Sequence, residues 1–78
     1  MARSIDLTKQ LIVRLGRKLD RNATLRVLPS GQGSYAFLEI PLSWESHKLL
    51  AIGYGATNLS AMIQLLSNIS KQLDPLQQ

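Results

Sequence analysis

The chain has 78 residues, so it forms one domain at most, residues 1–78, with little room for the deep cleft of an enzyme. Its composition, 45% hydrophobic and 18% charged, is that of a folded protein. The chain has no cysteine, which excludes disulfides, and no apolar run approaches the roughly 20 residues of a membrane span. The net charge of +4 is unevenly distributed: residues 1–26 contain seven cations and two acids, and the rest of the chain contains two cations and three acids. A positive field at one end of the molecule favours a nucleic acid, an acidic protein or an anionic surface as partner.

A helix is predicted over residues 6–20. Its apolar stripe consists of Leu7, Leu11, Ile12, Leu15 and Leu19. Asp6 is the candidate N-cap and Ser4 is the alternative. Gly16 interrupts the pattern at a cost of about 1 kcal/mol relative to alanine. This glycine either allows close packing or marks an early weakening of the helix.

Three strand patterns follow, over residues 23–28, 35–42 and 48–54, with short connections between them. In the second strand the apolar set is Ala36, Leu38, Ile40 and Leu42. The side chains that alternate with this set are Tyr35, Phe37 and Glu39. Because consecutive strands with short connections pair with each other, the pattern predicts an antiparallel meander.

A second helix is predicted to begin at Thr57 or Asn58, to run to about Leu73 and to stop before Pro75. Its apolar stripe consists of Leu59, Met62, Ile63, Leu66, Ile69 and Leu73. Each helix therefore has one apolar stripe, and both can pack on the same face of the sheet and leave its other face open. The predicted fold class is α+β, a two-layer α-β-β-β-α domain with a three-stranded antiparallel sheet.

The third strand leads into the sequence "GYGATNLSAM", residues 53–62, where two glycines are predicted to let the chain turn from strand to helix. The P-loop lysine and hydroxyl that would make this stretch a phosphate cradle are absent. The element order and this stretch resemble the double-stranded RNA-binding domain, in which Gly-x-Gly-x-Ser/Thr precedes Lys-Lys-x-Ala-Lys. The residues in that frame are Gly53, Gly55, Thr57 and Ala61. The three lysine positions are occupied by Asn58, Leu59 and Met62.

The resemblance implies RNA rather than DNA as the nucleic acid. The missing lysines remove most of the surface with which the family contacts phosphates. Degenerate members of the family act through protein contacts, so the resemblance is compatible with a nucleic acid or a protein as partner.

A polar stripe lies opposite the leucines of the first helix. The candidate nucleic-acid-binding residues are this stripe and its neighbours, Lys9, Gln10, Arg14, Arg17, Lys18, Arg21 and Arg26. Arginines three and four residues apart can follow phosphates or pair with carboxylates. The alternative is a solvated helix face, although mutual repulsion of the cations favours an anion-binding role.

The candidate interface residues are aromatic. Tyr35 and Phe37 lie on the open face of the sheet if the helices cover Leu38 and Ile40, and there they can stack bases or centre a protein interface. The alternative is a reversed sheet with both rings in the core. Trp44 is the third candidate, although a lone tryptophan in a small domain is more often a lid over the edge of the core.

No catalytic arrangement is recognised, and we expect neither enzyme activity nor a cofactor or metal. Two hypotheses remain. The first is a basic nucleic-acid-binding domain that uses the arginines of the first helix, either alone or together with the open sheet face. The second is a protein interaction module, such as a small inhibitor, an adaptor or a homodimer, that docks through the open sheet face. The N-terminal sequence lacks the apolar core of a signal peptide, so a cytoplasmic location is expected.

Overall fold

The computed structural model describes residues 2–74, with side chains from residue 5 onward. The elements are α1 (Ala2–Leu19), β1 (Thr24–Ser30), β2 (Gly33–Pro41), β3 (His47–Gly55) and α2 (Asn58–Leu73). The predicted α-β-β-β-α order is confirmed, whereas the predicted helix stop at Pro75 lies outside the described residues.

The three strands form one antiparallel sheet in the order β1-β2-β3, which confirms the predicted meander. A two-residue turn separates Ser30 from Gly33, the last pair of the first ladder. The second ladder shifts by one residue after Leu38: Leu38 lies opposite Ala51, but Glu39 lies opposite Leu49. This β-bulge leaves one extra residue on β3 and bends that strand.

Both helices pack on one face of the sheet, as predicted. The largest fully buried side chains come from α1, β2 and α2: Ile12, Leu38, Met62, Leu65 and Ile69. Removing a side chain of this kind from water contributes about 1.5–3 kcal/mol to stability. Ala36, Leu38 and Ile40 face the helices as their alternation predicts, whereas Leu42 is exposed because β2 ends one residue earlier.

Helix α1 differs from the prediction in its start and in its buried face. It begins at Ala2, so neither Asp6 nor Ser4 is its N-cap, and the added turn lets Ile5 pack against the core. Leu7 and Leu11 are exposed. Residues four apart on an α-helix are offset by about 40° around its axis. A row of leucines at this spacing therefore winds away from the core, and only its later members reach it.

Helix α2 is capped by Thr57, one of the two predicted caps. The Thr57 hydroxyl accepts a hydrogen bond from the Ser60 backbone N–H at 3.1 Å, and the Ser60 hydroxyl accepts one from the Thr57 N–H at 2.9 Å. This capping box satisfies two backbone donors at the start of the helix. Ile63, predicted to face the core, is 54% exposed, because Ala61 and Leu65 occupy the buried positions instead.

Glycines set the distance between the helices and the sheet. A β-carbon at Gly16 would lie 2.7 Å from Leu38 Cδ1, so this glycine allows close packing and the helix continues beyond it. A β-carbon at Gly53 would collide with the carbonyl oxygen of Ala61 and the backbone nitrogen of Leu65. Since no glycine in residues 2–74 has a positive φ, the turning role predicted for Gly53 and Gly55 is wrong. They permit α2 to lie directly on β3.

Candidate interaction surfaces

The face of the sheet opposite the helices, here called the open sheet face, carries aromatic and aliphatic side chains around one ion pair. Its members are Arg26, Leu28, Tyr35, Phe37, Glu39, Leu49, Ile52 and Tyr54. Phe37 lies between Arg26 and Ile52 in the register, and Tyr35 lies between Leu28 and Tyr54. Because the helices cover Leu38 and Ile40, the alternative in which Tyr35 and Phe37 belong to the core is wrong.

On this face the Tyr35 ring contacts the rings of Phe37 and Tyr54. The ring centroids of Tyr35 and Phe37 are 6.0 Å apart with an interplanar angle of 19°, and those of Tyr35 and Tyr54 are 4.7 Å apart at 54°. Both spacings are typical of favourable aromatic pairs. A β-carbon at Gly33 would lie 2.8 Å from the Tyr54 hydroxyl oxygen, so the missing side chain there makes room for the Tyr54 ring. The three rings therefore form one packed row on the open sheet face.

An ion pair at the centre of the open sheet face was not predicted from the sequence. The Arg26 guanidinium donates to both carboxylate oxygens of Glu39, at 2.9 Å and 3.0 Å, and lies 4.5 Å above the centre of the Phe37 ring. Glu39 is buried, with 7% of its surface exposed. The hydrogen bonds from Arg26 hold the pKa of Glu39 below its usual value, against the opposing effect of burial. Arg26 is thus neutralised by Glu39. It lies on the open sheet face, on the other side of the sheet from the predicted nucleic-acid-binding residues of α1.

The lowered pKa of Glu39 predicts a loss of stability in acid. A carboxyl whose pKa is lower in the folded than in the unfolded chain stabilises the fold above its unfolded value, about 4.3, and loses that contribution as the pH falls toward the folded value. We expect urea melts to show a drop in stability below about pH 4.5 that is smaller in Glu39→Gln. The exposed Glu45 provides the control, since Glu45→Gln leaves the drop in place. Parallel pH profiles for wild type and Glu39→Gln would contradict the assignment.

The remaining candidates, five cations and Gln10, lie on α1 and just beyond its end. Lys9, Gln10, Arg14, Arg17, Lys18 and Arg21 are all exposed. Within residues 5–74, none of these cations forms a salt bridge. The structure divides the group: Lys9 and Arg17 line a groove next to β1, whereas Gln10 and Arg14 line a separate, smaller depression with Leu7 and Leu11.

Trp44 lies in the connection between β2 and β3. The backbone N–H groups of Leu42 and Ser43 both donate to the carbonyl oxygen of Ser46, which closes this connection on itself. Trp44 is 88% exposed, so the alternative of a lid over the core is wrong. In the described part of the chain, no ring contact joins it to the aromatic side chains of the open sheet face.

Residues 2–74 contain no helix that is long and apolar enough to cross a membrane. The described side chains include no group of three or more metal-binding residues that could hold an ion. Comparison of the chain with protein-family models, with curated proteins and with solved structures gave no match. The resemblance to the double-stranded RNA-binding domain therefore stays a prediction.

Proposed function

We propose that this protein is a small non-catalytic interaction module that pairs with a second copy of itself through the open sheet face. The observation that carries the proposal is a contiguous apolar surface on that face. Five of its large side chains are at least 36% exposed: Leu28, Tyr35, Leu49, Ile52 and Tyr54. Monomeric proteins rarely expose apolar patches larger than a few hundred Å², and larger patches mark interaction sites.

The packing of the aromatic rings on the open sheet face supports its role as an interface. Aromatic side chains are enriched among the residues that dominate binding energy. The Tyr35 ring packs against the rings of Phe37 and Tyr54, and Arg26 lies over the Phe37 ring, which restricts the rotamers of these side chains before binding. An interface formed from ordered side chains loses less conformational entropy when it is buried.

The distribution of charge favours a second copy over an acidic partner. Arg26 and Glu39 neutralise each other on the open sheet face, so this face offers no unpaired arginine or lysine to an acidic protein. The unpaired cations lie on α1 and beyond its end, in the helical layer on the other side of the sheet. Two copies that pair sheet to sheet keep these cations far apart, and the same patch serves both partners, as a twofold axis requires.

We expect wild type to form dimers in sedimentation equilibrium at about 0.1 mM or below, and Ile52→Glu to be a monomer at the same concentration. Ile52, 41% exposed, lies on the open sheet face, and a glutamate there would be buried without a partner in the dimer. Ile63→Glu is the matched control, because Ile63 is an exposed isoleucine on α2, and this variant remains dimeric. A wild type that is monomeric at about 0.5 mM would refute the proposal, as would dimers of Ile52→Glu.

A second candidate function, nucleic-acid binding, is favoured by the exposed and unpaired cations on and next to α1. Like charges this close repel one another unless a polyanion or counterions neutralise them. Phosphates of RNA or DNA would do so, and RNA is the choice that the resemblance implies. The two functions use opposite sides of the domain and are compatible. They differ in their response to salt, because phosphate contacts release counterions whereas burial of an apolar face does not.

A further inference from the structure

The two edges of the sheet are not equivalent. On β3, side chains of α2 reach the strand backbone: Asn68 donates to the carbonyl oxygen of Ile52 at 2.7 Å, and Gln72 donates to that of Leu50 at 3.0 Å. Among residues 5–74, no such bond joins α1 to β1. In an antiparallel edge strand every second residue directs its N–H and C=O outward, so β1 presents a row of backbone groups to which another strand can pair.

An open groove of about 450 Å³ runs between α1 and β1. Its walls are mostly apolar, and Lys9 and Arg17 add two cations on the helix side. The other lining residues are Val13, Ala23, Thr24, Leu25 and Val27. The groove continues the layer between sheet and helices to the β1 edge, where the side chains of an added strand would enter it.

The spacing of the two cations along the helix is close to the repeat of an extended chain. Lys9 and Arg17 both line the groove and are eight residues apart, which corresponds to about 12 Å along the helix axis and about 80° around it. Two side chains four residues apart on one face of a strand are separated by about 13 Å. A strand with acidic residues at these two positions and an apolar residue midway would place carboxylates near both cations and an apolar group against Leu25 and Val27.

We propose that β1 accepts an extended acidic segment of a partner protein as a fourth strand of the sheet. Main-chain hydrogen bonds to β1 would supply binding that is independent of sequence, and the groove would select the pattern acidic-x-apolar-x-acidic. Pro29 lacks an N–H, so the pairing is confined to residues 24–28. This surface is separate from the open sheet face, and the inference does not depend on dimer formation.

The probe is a synthetic peptide of about nine residues with two glutamates four positions apart and a valine midway between them. We expect it to bind the full chain, measured by fluorescence anisotropy, and to shift the amide resonances of Leu25 and Val27. Lys9→Glu with Arg17→Glu weakens binding at least about tenfold, whereas the control Lys48→Glu with Lys71→Glu, which has the same net charge, weakens it less than about threefold. N-methylation of alternate peptide nitrogens abolishes binding, because strand pairing needs those donors.

Three results would overturn the proposal. The first is no binding of the peptide at about 1 mM. The second is an equal loss of binding in the two charge variants, which would reveal attraction to net charge alone. The third is a shift of the groove resonances by decanoate, a small acid with an apolar tail, and none by the peptide. That result would make the groove a site for amphipathic small molecules. Because β1 and its groove are separate from the open sheet face, we expect the monomeric Ile52→Glu variant to bind the peptide as strongly as wild type does.

Discussion

Gly53→Ala is expected to destabilise the protein by about 3 kcal/mol, a large part of the stability of a domain this small. The added methyl group would meet the backbone of α2 at Ala61 and Leu65, including the Leu65 Cα at 2.8 Å. Backbone atoms cannot rotate away as a side chain can, so helix and strand would have to separate and open the core. Urea unfolding followed by circular dichroism measures the loss.

The sign of this effect distinguishes packing from intrinsic preference. Alanine in the middle of a strand is favoured over glycine by about 0.5–1 kcal/mol, so a free position would gain stability. Gly31→Ala is the matched control, since nothing lies within 4 Å of a β-carbon there, and we expect a change within about 0.5 kcal/mol. Equal stabilities of wild type and Gly53→Ala would show that α2 does not rest on β3 at this point.

Replacing Arg14, Arg17 and Arg21 with glutamine is expected to abolish retention of nucleic acid at low salt and to leave the fold intact. If these arginines, Lys9 and Lys18 each contact a phosphate, raising the salt from about 50 to 200 mM lowers the affinity of wild type about 500-fold. Filter binding across a salt series gives this slope for wild type and tests whether the triple variant is retained at the lowest salt.

The control for this experiment is Lys48→Gln with Lys71→Gln, which removes two exposed cations outside α1 and keeps the wild-type slope. Circular dichroism of each variant verifies the fold, because glutamine forms helices about as well as arginine. The nucleic-acid hypothesis is wrong if duplex RNA, duplex DNA and single strands all fail to bind wild type at about 50 mM salt, where phosphate contacts are strongest.

The fold was predictable because its signals are local. Alternation in β2 identified Ala36, Leu38 and Ile40 as the buried face, and two helical stripes placed both helices on that face. The helix stripes were less reliable in detail. Leu7 and Ile63 fit an apolar row but are exposed. An apolar row identifies the buried side of a helix only approximately, and tertiary packing decides which side chains at its margins are covered.

The candidate site was less predictable, because its parts are distant in sequence. The pair of Arg26 and Glu39 depends on the register of β1 and β2, in which the two residues are diagonal neighbours within reach of long side chains. The two-residue turn after Ser30 fixes that register and could have suggested the pair. The groove beside β1 depends on how α1 leans on the sheet, for which the sequence contains no local signal. For Trp44 the sequence left both an interface role and a lid over the core open, because residue type alone does not report burial.

The side chains of Asn68 and Gln72 that hydrogen-bond to β3 also limit growth of the sheet. A domain with two equivalent free edges can add further copies without end and form a fibre. With two carbonyl oxygens of β3 bonded to side chains of α2, strand addition is confined to the β1 edge, where one added segment would complete a four-stranded sheet. The two amides therefore make the β3 edge a poorer template for a further strand than the β1 edge.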